Sequence, residues 1–171
     1  MDILQLLQAE HSKKQTLRIV RYVGNDKDRF AVLIRLFFGK EYRITQRAAW
    51  PLSYCVRAHP ELIRPYFKRL LDNLKQEDIP VAVVRNTVRL LQDVDIPKKF
   101  HGQVMSTCFD FIQSVETPNA VKAFSLTILS NLAESYPGIR GELKLIIEEQ
   151  WEHATPAFRS RAKKILKSLS V

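Results

Sequence analysis

An all-α fold of about five stacked helix pairs is the architecture that this 171-residue sequence predicts. Three observations carry that expectation. A step of 38 residues relates Ile79-Pro80, Thr117-Pro118 and Thr155-Pro156. The same step joins apolar sets: Leu52, Leu90, Ile128 and Leu166; Ile44, Ala82, Ala120 and Phe158; Val56, Val94 and Leu132. A fixed period of this length, with proline returning at one phase, marks a stacked helical repeat. No segment shows the sustained two-residue alternation of a half-buried strand.

Taken in order, the chain divides into helix pairs at residues 2–23, 27–58, 60–94, 97–135 and 137–169, within one domain spanning 1–171. The first pair is a short amphipathic helix at 2–9 followed by 12–23. Ser12 is placed there to cap the first turn through its side-chain oxygen, and Gly24-Asn25-Asp26 stops the helix. The second pair, 27–38 and 42–58, is split by Gly39, and the third, 60–76 and 80–94, by Asp78-Ile79-Pro80. The fourth comprises 97–115 and 118–135, the fifth 137–151 and 155–169. Prolines 60, 80, 97, 118, 137 and 156 fall at helix starts. A missing N–H costs nothing there, and the fixed φ already suits a helix. Pro65 lies near the first turns of its helix, whereas Pro51 interrupts 42–58 and is expected to bend it.

Bulk properties narrow the class. A chain this long buries roughly 70% of its unfolded surface as a single domain. It has no apolar run long enough to span a bilayer, so no membrane partner is expected. The N-terminal stretch carries its charges after the apolar run and lacks a small-residue cleavage site, which argues for the cytoplasm. Cys55 and Cys108 are far apart and read as buried thiols of a reducing compartment. The net charge of +9 favours acidic partners.

The second helices also carry the pattern of HEAT repeats, a Val-Arg pair followed by small and leucine positions. The matching residues are Val84-Arg85 with Leu90 and Leu91, and Val121-Lys122 with Ser125 and Leu129. Gln46-Arg47 with Ala49 and Leu52, and Ser160-Arg161 with Ala162 and Leu166, match more loosely. The chain resembles HEAT-like, armadillo-type solenoids, and this resemblance implies a right-handed α-α superhelix whose second helices line a concave surface. The strings at 47–50, 120–125, 142–146 and 161–166 are also similar to a group of short bacterial helical-repeat proteins, some labelled adenylosuccinate lyase. Members of that lyase superfamily carry a Ser-Ser-x-Met-Pro-x-Lys-x-Asn loop. Here methionine occurs only at 1 and 105, so no catalytic residue is carried over.

Charge is unevenly divided. The second helices, taken as 12–23, 42–58, 80–94, 118–135 and 155–169, hold fifteen of the 27 basic residues but only Asp93 and Glu134 of the 18 acidic ones. At 100° per residue, Leu90, Val94, Val83 and Thr87 share one side of their helix, and Arg85 and Arg89 lie opposite. The corresponding side of 42–58 carries Arg43, Arg47 and Tyr54, with Trp50 at its margin; in 155–169 it carries Arg161 and Lys164. With Lys122, these residues form a candidate ladder of cations along the concave face. Such a ladder repels itself unless a partner opposes it. Equally, a basic run serves as a solvated face, and Arg47 or Arg85 can bridge adjacent repeats through acids or carbonyls. The leading expectation is a non-catalytic scaffold accepting an acidic protein or peptide segment; the alternative is a nucleic-acid-binding module, since arginine forks suit phosphate and carboxylate alike.

Catalytic and cofactor signals are lacking. The four histidines sit in different helix pairs, the two cysteines make no CxxC, and no phosphate loop, nucleophile elbow or HExxH occurs. No cofactor or metal is expected. One enzymatic precedent, the HEAT-like DNA glycosylases, pairs a basic concave face with tryptophans and an aspartate. Trp50 with Asp93 or Asp95 would be the counterparts here, against the plainer role of Trp50 as a packing residue.

Overall fold

A computed structural model describes residues 1–76 and 79–169. Among the described residues there are ten α-helices and no strand. The chain divides into two compact units, Met1–Asp95 and Ile96–Val171.

The first unit contains α1 (Ile3–Ala9), α2 (Lys13–Val23), α3 (Lys27–Phe37), α4 (Tyr42–Ala58), α5 (Phe67–Asn73) and α6 (Val81–Leu91). Short polar side chains start the early helices by accepting free N–H groups: Asp2 from Leu4, Ser12 from Gln15 at 3.1 Å, and Asp26 from Asp28 and Arg29. Gly24 ends α2 at φ 51, a left-handed conformation that suits glycine, with its N–H returned to the Val20 carbonyl. The longest helix of the unit, α4, is its organising member. It packs against α1, α2, α3 and α6, and buries Ile44, Ala48, Ala49, Leu52, Cys55 and Val56. The second helices α2, α4 and α6 thereby stack in series, α2 on α4 and α4 on α6, as a helical repeat requires.

The second unit contains α7 (His101–Gln113), α8 (Asn119–Ser135), α9 (Arg140–Gln150) and α10 (Pro156–Leu169). Here α8 is central, packing on α7, α9 and α10 with Val121, Leu126, Ile128 and Leu129 fully buried. Of the residues aligned by the 38-residue step, Leu52, Leu90 and Ile128 are buried, as are Ile44, Ala82 and Phe158. Ala120 departs: it is exposed, and Val121 takes the inward position in the first turn of α8.

Proline shapes the local departures. The helix expected over 60–76 is instead a 3-10 segment, Pro60–Tyr66, followed by α5. Pro60 and Pro65 have no N–H to donate, so regular α-helical bonding begins only after them. Single 3-10 turns likewise introduce α7 at Lys98–Phe100 and α9 at Pro137–Ile139. Pro51 lies inside α4 and is buried, leaving the Arg47 carbonyl without its helical donor. The break expected at Asp78-Ile79-Pro80 falls in part on residue 78, outside the described residues.

Candidate functional site

Nine residues were singled out by sequence, and they divide between the two units. Arg43, Arg47, Trp50 and Tyr54 lie on α4, with Arg85 and Arg89 on α6, its neighbour in the first unit. Lys122 lies on α8, with Arg161 and Lys164 on α10, its neighbour in the second. Their environments differ more than their spacing suggests.

Two of the arginines bind their own protein. Arg47 donates from Nη1 to the carbonyls of Leu7 and Gln8, at 2.8 and 2.9 Å. Those carbonyls sit at the C-terminal end of α1, where helical acceptors lack intrahelical donors and a cation meets the negative end of the helix dipole. Arg161 donates from Nη1 to the Ala123 carbonyl at 3.2 Å and to Thr127 Oγ1 at 2.9 Å, and its guanidinium lies 5.4 Å from the Phe124 ring centroid. Arg47, Arg85 and Arg161 share one phase of the repeat, and both Arg47 and Arg161 reach back about one repeat. Gln150 makes a similar bond to the Ile112 carbonyl. Polar side chains therefore staple neighbouring repeats, and the Leu7, Ile112 and Ala123 carbonyls they engage are part-buried.

The remaining cations are differently placed. Arg43, Arg85 and Lys164 are exposed and Arg89 is half-buried, and among the described residues none of the four has an ion-pair or hydrogen-bond partner. Lys122 is half-buried, and the desolvation of its ammonium lowers its pKa. Asp93 falls beyond the end of α6, so Glu134 is the single acid within the second helices. The Asp93 carboxylate accepts from the Arg57 guanidinium at 2.9 and 3.2 Å across a solvent-exposed bridge between α4 and the turn after α6. Trp50 is half-buried and meets the His11 ring edge-on, with centroids 5.6 Å apart. Tyr54 is half-buried on the same helix.

The cysteines are free and buried, and burial pushes both thiols up to about 12, with the Ser125 hydroxyl opposing this at Cys108. His101 is held between the Ile96 carbonyl, 2.6 Å from Nε2, and the Tyr136 hydroxyl, 3.0 Å from Nδ1. Because a carbonyl only accepts, Nε2 carries the proton and Nδ1 accepts from Tyr136. Among the described residues no group of three or more His, Cys, Asp or Glu is placed to hold a metal, and no helix is long and apolar enough to cross a membrane.

Two openings were not singled out in the sequence. Lys14, Arg18 and Arg21, one helical face of α2, line a shallow opening of about 370 Å³ with Met1 and Tyr22. Their i, i+4, i+7 spacing was the available signal. A larger cleft near the end of α3 draws on three separate elements, and no periodicity announces it.

No curated protein and no solved structure matches the chain. The family model described as HEAT repeat domain matches residues 3–169, nearly the full length. With second helices stacked and arginines stapling neighbouring repeats within each compact unit, the chain belongs to the HEAT repeat family of helical-repeat scaffold or binding proteins.

Proposed function

We propose that this protein is a non-catalytic binding scaffold whose second-helix layer accepts an acidic protein segment, with the repeats of residues 1–171 acting as one solenoid. The observation that carries the proposal is the isolation of Arg43, Arg85 and Arg89 on α4 and α6. Among the described residues none of these cations forms an ion pair, and the helices that carry them contain no carboxylate within their bounds. Half-buried Trp50 and Tyr54 on α4 offer apolar area beside them, the combination that interface anchors favour. The basic face of α2 extends the layer in the first unit, because α2 packs on α4. In the second unit Lys122 and Lys164 supply the charge.

A protein partner suits this face better than nucleic acid. Arg47 and Arg161 are committed to carbonyls and Arg57 to Asp93, which thins the row of charges that a phosphate backbone would neutralise. Trp50 is packed against His11 rather than standing free as a base-stacking platform. For a glycosylase, Asp93 would have to serve the chemistry while paired to Arg57. Buried free thiols suit a reducing compartment, consistent with a cytoplasmic protein.

The test is titration with a fluorescent glutamate-rich peptide containing aromatic residues, alongside duplex and single-stranded DNA, at two salt concentrations. The proposal expects saturable peptide binding that the pair Arg85→Gln and Arg89→Gln weakens by about tenfold or more. DNA binding that is tighter than peptide binding and falls steeply with salt would replace it with the nucleic-acid reading. Peptide binding unchanged in the double variant would overturn the assignment to this face.

A further inference from the structure

In the first unit a cleft of about 760 Å³ opens where α3 ends, between the Gly39-Lys40 turn, α5 and the start of α6. Its size falls in the range of small-molecule sites, roughly 300–1,000 Å³. Pro65, Ile79 and Pro80 contribute apolar wall, and Phe37 and Val83, buried in the core, back it. Among the described residues, the charged ones of the lining are Lys40, Lys68, Arg69 and Asp72.

These four charges are not equivalent. Lys68 and Asp72 form an i,i+4 ion pair on α5 and neutralise each other. Arg69 instead lies with its guanidinium carbon 4.4 Å from the centroid of the Phe38 ring. Among the described residues its N–H groups meet no acceptor, and Lys40 likewise has no partner. Stacking on an aromatic face restricts the orientation of the guanidinium, so less freedom is lost when an oxyanion accepts from it. An arginine braced in this way, a second cation unopposed among the described residues and an apolar wall together match a head-and-body ligand.

We propose that this cleft binds a small organic oxyanion, a carboxylate or phosphate head on an apolar body. The head accepts hydrogen bonds from Arg69 with Lys40 adding charge, and the body lies against Pro65, Ile79 and Pro80. This site is separate from the cation face of α4 and α6 and does not depend on it.

The experiment is an amide NMR titration of the full chain with 4-phenylbutyrate, phenyl phosphate, the neutral 4-phenylbutanamide, and acetate as a head without a body. The expected result is saturable shifts centred on Gly39, Lys40, Arg69 and Val83, with Kd for the better anion of about 1 mM. Whichever of phenylbutyrate and phenyl phosphate binds tighter identifies the head. Arg69→Gln should weaken binding about tenfold and Lys40→Gln about threefold, and the neutral amide should bind as poorly to the native chain as the acid does to Arg69→Gln. Arg69→Lys, which keeps the charge but removes the fork, should lose most of the same affinity and serves if the glutamine variant misfolds. The proposal is overturned by no saturable shift up to about 20 mM, by equal binding of acid and amide, by equal binding of acetate, or by shifts centred away from the cleft. Arg85 and Arg89 are untouched in these variants, so failure here leaves the acidic-partner proposal standing on its own test.

Discussion

Replacing Arg47 with methionine separates a structural arginine from a binding one. The substitution keeps much of the apolar stem but removes both hydrogen bonds to the end of α1. A bond from a charged donor contributes about 1.5–3 kcal/mol when buried, and less when water can replace it. The Leu7 bond is part-buried and the Gln8 bond exposed. The pair together is therefore expected to contribute about 1.5–3 kcal/mol, nearer the lower end. At about 2–4 °C per kcal/mol for a chain of this size, Tm should fall by roughly 3–12 °C. The loss should concentrate on α1, because seven residues are too few to hold a helix without tertiary support. Circular dichroism with heat and urea gives the global number, and amide exchange at Leu6 and Leu7 gives the local one. Arg85 occupies the same phase of the repeat but is exposed and, among the described residues, without a partner, so Arg85→Met should shift stability by no more than about 0.5 kcal/mol while weakening binding of the acidic peptide. A stable Arg47→Met chain beside a destabilised Arg85→Met chain would refute this division of roles.

Further outcomes follow from other parts of the chain. Because burial raises both thiols from 9.0 to about 12, the unfolded chain loses these protons first. Their contribution is thus intact below pH 9 and declines as pH rises toward 12, by at most about 1.4 kcal/mol per pH unit for each thiol; urea unfolding at a series of alkaline pH values should show a slope that Cys55→Ala and Cys108→Ala each flatten. Arg57→Ala removes an ion pair whose side chains are 54% and 39% exposed, and should cost about 0–1 kcal/mol, diminishing with salt. The two tryptophans, Trp50 and Trp151, lie one in each compact unit. If residues 1–171 fold as one domain, the variants Trp50→Phe and Trp151→Phe, each reporting from the remaining indole, should give the same urea midpoint, whereas separate midpoints would show two independently unfolding units.

Helix positions were legible from the sequence because their determinants are local. Pro118 and Pro156 mark helix starts by chemistry confined to one turn, and Ser12 caps α2 as expected. Apolar residues recurring at one phase, such as Leu52, Leu90 and Ile128, are buried because each repeat can cover that face only with its neighbour. The 3-10 segment at Pro60–Tyr66 was the main local miss: two prolines close together remove donors that a purely periodic pattern does not register.

The cation ladder required the tertiary structure. Sequence placed Arg47, Arg85 and Arg161 at one phase and treated them as equivalents, but the carbonyls that engage Arg47 and Arg161 lie some 40 residues away in the chain. The same holds for Arg69, whose brace on Phe38 joins α5 to the end of α3. Periodicity determined where the helices run and which of their sides are apolar, since those depend on residues within a turn or one repeat step. Which charges are occupied and which stand open was decided by the packing of distant segments, because an acceptor or an aromatic face becomes a partner only when folding brings it within a few ångströms.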